Sequence, residues 1–193
     1  MHTSGPVFDK QTPVCLLLTA GSFYDCARLC RAASEGNGEL LKFIPDHKSY
    51  LRPAIYATAC RAIELALKAY LRAAGDTEKQ FRKKGGANGH DLIQLYEAAI
   101  TSGMNRLSLS PKDKSDFQEL SERYHGKDFD YPDVTSSRGA PSLDFAIRIA
   151  KEAIVSVEPF CRANDNRHLN QLSADVGFEA KRNQKVKKTA QKI

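Results

Sequence analysis

At 193 residues, 41% hydrophobic and 27% charged, the chain has the size and balance of one globular domain with a substantial core. Its longest apolar run, Val14 to Ala20, falls far short of the roughly 20 residues a membrane-spanning helix needs. Five of its six net positive charges lie in the last 33 residues, Cys161 to Ile193, so the pI of about 9.1 belongs to the tail and the near-neutral body is not a broadly basic nucleic-acid face.

Residues 1–12 are polar and are expected to form a flexible leader. A first helix is predicted over Val14–Ala33, with Leu17, Leu18, Ala20, Gly21, Tyr24, Ala27 and Leu29 broadly on one side. Gly36-Asn37-Gly38 stops it, and Glu39 to Asp46 reads as a short apolar connector. From Arg52 to Gly75 the apolar residues recur at the three-four spacing of a core-facing stripe, and this is expected to be the central helix. Arg61, Glu64, Lys68 and Arg72 are assigned to its solvent side, with Glu64 and Lys68 as a surface pair. Pro53 is tolerated in the first turn and Gly75 is a natural stop.

Asp76 to Gly89 reads as a basic, glycine-rich connection. A third helix is predicted from Asp91 to Ser102, capped by Asn88 or His90, with Leu92, Leu95, Tyr96, Ala99 and Ile100 on one face. A fourth opens with Ser110-Pro111, an N-cap followed by proline at the first helical position, and buries Phe117, Leu120 and Tyr124. A fifth runs from Ser142 to Glu158 and is ended by Pro159.

No segment alternates with a period of two between hairpin turns. The predicted fold is therefore all-α, an up-and-down bundle of about five helices over residues 13–163, followed by a basic, partly disordered tail over 164–193. The five cysteines form an odd set without a Cys-x-x-Cys pair, which argues against a disulfide framework or a zinc knuckle; they are expected to be reduced and packed as small hydrophobes. The N-terminus lacks the pattern of a secretory signal, so a cytoplasmic protein is expected.

The run Ala62-Ile63-Glu64-Leu65-Ala66-Leu67-Lys68-Ala69-Tyr70-Leu71, then Gly89-His90-Asp91-Leu92-Ile93-Gln94-Leu95, then Tyr124 and Tyr131-Pro132, resembles the HEPN family, the nucleotide-binding helical domain of higher eukaryotes and prokaryotes, over residues 45–160. The resemblance implies a bundle that often dimerises and that occurs in RNA-cutting toxins, phage-defence proteins and partners of nucleotidyltransferases. Catalytic members carry an Arg followed after four to six residues by a His, a pair suited to metal-independent RNA cleavage because His moves a proton while Arg stabilises charge on phosphorus. Here that spacing falls at Arg162 and His168, the candidate catalytic residues, beyond Pro159 rather than within the bundle. Arg123 and His125 lie nearer the expected region with the wrong spacing.

Lys83 and Lys84 precede a glycine-rich loop and form a candidate phosphate cradle with His90, Arg123 and His125, although a solvated connector is the simpler account of the loop. The His90-Asp91 doublet lacks the further ligands a metal centre needs and reads as capping. No serine triad, dinucleotide-binding glycine motif or paired-carboxylate constellation appears, so neither cofactor nor metal is expected. The expected function is a non-catalytic RNA- or nucleotide-binding or regulatory module, with a homodimer, a nucleotidyltransferase or an antitoxin as partners the resemblance implies. The alternatives are a metal-independent ribonuclease of toxin or defence type and a helical protein-protein adaptor.

Overall fold

A computed structural model describes residues 11–35, 47–85, 89–129 and 140–165. They form an all-α bundle without strands: α1 (Pro13–Glu35), α2 (His47–Ala73), α3 (Glu78–Lys84), α4 (Leu92–Thr101), α5 (Pro111–His125) and α6 (143–165). None of these helices is long and apolar enough to cross a membrane. The expected leader (1–10 of it), the 39–46 connector, Tyr131-Pro132-Asp133 and the tail beyond Asp165 lie outside the described residues.

α2 is the axis of the bundle and packs against α1, α4 and α5. Over its second half every side carries apolar residues, and Ile63, Ala66, Leu67 and Leu71 are completely buried. A helix apolar all round must be enclosed by its neighbours. This overturns the expected solvent side: Glu64 is completely buried and Arg72 nearly so, its Nη1 donating to the Asp76 carbonyl at 3.1 Å. The stop at Gly75 is as expected. With φ of +106° it lets the Asp76 N–H reach back to the Leu71 carbonyl and its own N–H to that of Arg72, both at 3.0 Å.

The contacts along α6 fix its direction. Val14 at the start of α1 donates its N–H to Asp165 Oδ1 at 3.2 Å, while Arg31 near the end of α1 pairs with Asp144 at 3.2 Å, so the two helices are antiparallel. Tyr56 donates to the Pro141 carbonyl and Tyr70 packs its ring on Phe160, so α6 runs parallel to α2. α4 and α5 are antiparallel, joined at Tyr96 and Phe117 and at Ile93 and Ser121.

Helix starts follow local chemistry. Ser110 accepts from Asp113 N–H ahead of Pro111, and Ser142 accepts from Phe145 N–H. Two helices differ from expectation. The basic connection contains α3, started by a reciprocal Thr77–Gln80 cap and anchored by buried Phe81. α6 does not end at Pro159 but continues to 165. The proline faces solvent, where water can satisfy the carbonyl it leaves unpaired, and the extra turns bury Cys161 and Asn164 and bring Asp165 to the free N–H groups of α1.

Two smaller corrections concern packing. Leu18 and Leu29 of α1 are exposed rather than inward, because the helix buries the neighbouring stripe of Leu16, Leu17, Ala20 and Ala27. Of the five free cysteines, Cys60 and Cys161 are core residues whose thiols burial pushes up, but Cys15 and Cys26 are exposed.

Candidate functional site

The site is built around the carboxylate of Glu64. Arg61 and Lys68 stand three residues before it and four after it, which places all three on one side of α2. Arg61 Nη1 reaches Glu64 Oε1 at 2.8 Å and Lys68 Nζ reaches the same oxygen at 2.7 Å. The other oxygen, Oε2, accepts from the Tyr124 hydroxyl at 2.7 Å and meets His90 Nδ1 at 3.1 Å. An ionised carboxylate offers about four acceptor directions, and here each oxygen has two partners.

The elements that supply these partners are pinned together beside the site. Asp91 is the N-cap of α4, in place of the expected Asn88 or His90: its Oδ1 accepts from Gln94 N–H at 3.0 Å and from Ser121 Oγ at 3.2 Å. Ser121 in turn accepts from Ile93 N–H at 3.2 Å. The start of α4 is thereby fastened to α5, and Tyr124 lies one turn beyond Ser121 on the same face. His90 is held just ahead of the cap, edge-on to the Tyr124 ring.

Electrostatics follow from this geometry. Burial alone would push the Glu64 carboxyl up, but the His90 hydrogen bond and the charges of Lys68 and Arg61 outweigh it and hold the group at about 2. Burial and the adjacent carboxylate both push the Tyr124 phenol up, so it remains a donor. Burial and Glu64 likewise raise the Cys60 thiol, which leaves it unreactive. Because Glu64 is an ionised acceptor, His90 Nδ1 carries the proton of their bond, and Nε2 is left on a side chain that is 46% exposed.

The expected surface pair of Glu64 and Lys68 is therefore a buried ion cluster open to solvent through His90. His90 belongs to it as a partner of Glu64 and not as a helix cap. The other candidates do not join it. Lys84 pairs with Asp76 at 2.6 Å, Lys83 is exposed, and part of the glycine loop after them, 86–88, lies outside the described residues. Arg123 is held by Glu119 at 3.1 Å and His125 is exposed; consecutive helical residues point about 100° apart, so only Tyr124 of the three faces Glu64. Arg162 is 57% exposed and paired with Glu158 at 2.8 Å, and His168 lies outside the described residues. Among the described residues no three His, Cys, Asp or Glu side chains are grouped to hold a metal ion.

Glu64, Arg61, Lys68 and Tyr124 were missed as site residues. The available signal was the ring of apolar residues from Ala62 to Leu71: a helix apolar on every side has no solvent face for Glu64, and a buried carboxylate requires partners. Compared with family models, curated proteins and solved structures, the chain matches none.

Proposed function

We propose that the chain is a HEPN-like module that binds RNA or a nucleotide through phosphate without cutting it. The observation that supports this reading is the charge balance at Glu64: two fixed cations, Arg61 and Lys68, and the imidazole of His90 surround one fully buried carboxylate. The carboxylate is saturated by its own partners, so the cluster presents excess positive charge and a hydrogen-bonding imidazole edge to solvent. Phosphate is the ligand that such a surface favours. A binding role accords with Arg162 being engaged by Glu158 on the outer surface of α6.

Titration of labelled RNA into the full chain tests this. His90→Gln should weaken RNA binding about tenfold with the melting curve little changed. RNA affinity unchanged in that variant refutes the site. Cleavage of the RNA that resists chelator and is lost in His168→Ala refutes the non-catalytic reading and restores the ribonuclease alternative. The adaptor alternative has one observation of its own, the exposure of Leu18 (61%) and Leu29 (70%) on α1. A partner held by that helix would be released by Leu18→Glu with RNA binding intact.

A further inference from the structure

A second surface, separate from the Glu64 cluster, carries features of a ligand site. α6 and the segment joining α4 to α5 border two adjoining open hollows of about 580 Å³ and about 280 Å³ that share Arg106 and Ser156. Their combined size is in the range of small-molecule sites rather than macromolecular docking faces. The α6 residues along the trough, from Arg148 through Lys151, Ser156 and Phe160, recur at intervals that keep them on one side of the helix.

The two ends differ in chemistry. At the wider end stand Arg106, Arg148 and Lys151 against a single acid, Glu152. Arg148 is already committed, one nitrogen to Glu152 and the other to Asp113, and its guanidinium lies over the Phe145 ring at 5.4 Å, so it forms a fixed wall. Arg106 and Lys151 have no hydrogen-bond or ion-pair partner among the described residues, and they supply the net charge of the trough. At the narrower end Phe160, 37% exposed, lies 4.7 Å from the Tyr70 ring, whose hydroxyl is tied to the Ser102 carbonyl. Both rings line the narrower hollow.

We propose that this trough is a binding site for a nucleoside polyphosphate, with the base against Phe160 and the phosphates toward Arg106 and Lys151. The pairing of a flat apolar end with a cationic end separates this ligand from a bare anion and from an apolar molecule. Lys151 and Phe160 are nine residues apart, about 13 Å along the helix, with Arg106 between them. That separation favours two or more phosphates over one. Unpaired Arg and Lys side chains gain most from an ionised ligand because they have no intramolecular bond to surrender.

Calorimetric titration of the full chain with ADP, AMP, adenosine and pyrophosphate tests the proposal. ADP should bind, AMP more weakly, and adenosine and pyrophosphate each about tenfold more weakly than ADP. Arg106→Gln combined with Lys151→Gln should lower ADP affinity at least tenfold, and Phe160→Leu should lower it toward that of pyrophosphate. Both changes lie at the surface, and the double variant tests the site even if Phe160→Leu disturbs Tyr70. Failure of ADP to bind, pyrophosphate binding as well as ADP, polyglutamate displacing ADP at equal charge, or ADP affinity unchanged in the double variant would each overturn it. His90→Gln should leave ADP binding here intact, so this site and the Glu64 cluster stand or fall separately.

Discussion

Ile63 and Glu64 are neighbours on α2, both completely buried, and they differ in what replaces the water they lose. Around Ile63 the replacement is close-packed hydrocarbon, which asks only for the right volume. Around Glu64 it is four directed hydrogen bonds from α2, the residue ahead of α4, and α5. Apolar burial tolerates many neighbours, whereas polar burial specifies them. The same helix thus carries the part of the molecule that makes it fold and the part that fixes which loop and which tyrosine meet.

The sharpest way to break the comparison is to exchange the two demands. Ile63→Asp places a carboxylate where no donor waits, and it should cost about 4 kcal/mol or more and remove the cooperative thermal transition. A variant that melts normally would mean that Ile63 borders solvent or a polar group. Glu64→Ala makes the converse error by leaving two cations, a phenol and an imidazole around a missing acceptor. It should cost about 3–5 kcal/mol in denaturant unfolding, against a few tenths for Glu97→Ala on the exposed face of α4. Equal losses would show that the cluster contributes no more than a surface charge.

Acidity separates the two regions without changing any atom of the apolar one. The Glu64 carboxyl sits at about 2 in the fold against 4.5 ordinarily, so on acidification the unfolded chain takes up this proton first. Its contribution is complete above about pH 4.5 and is lost as the pH falls toward 2, a difference of about 3 kcal/mol. Glu64→Gln does not titrate, so the stability gap between wild type and this variant should narrow across that window. A gap that stays constant would mean that Glu64 titrates alike in both states.

The contrast also explains what could be read from the sequence. Ser110-Pro111, Gly75 and Ser142 were legible because a cap or a stop is decided by the residues beside it. The bundle was legible because helical spacing records one buried side. Pro159 misled because the fate of α6 is decided by Cys161, Asn164 and the bond from Val14 to Asp165, which joins residues at opposite ends of the described chain. α3 was hidden because one buried aromatic, Phe81, holds an otherwise charged turn. Glu64 was hidden for a related reason: a Glu–Lys pair four apart has the same pattern on a solvated face as in a buried cluster, and what distinguishes them is the apolar ring around the pair together with His90 and Tyr124 from distant parts of the chain.

The finest test removes a bond while leaving the packing alone. Tyr124→Phe keeps the ring that stands edge-on to His90 and deletes only the hydroxyl that donates to Glu64 Oε2. If volume were all that mattered at this position, as it is around Ile63, the variant would be as stable as the parent or slightly more so. If directed donors matter, it should lose about 1.5 kcal/mol, the worth of a hydrogen bond to a charged acceptor, in denaturant unfolding with an unchanged slope. Glu64 Oε2 would then depend on His90 alone, so adding His90→Ala, which removes that donor as well, should cost more in the Tyr124→Phe background than in the parent. Additive losses would show instead that the two donors serve the carboxylate independently.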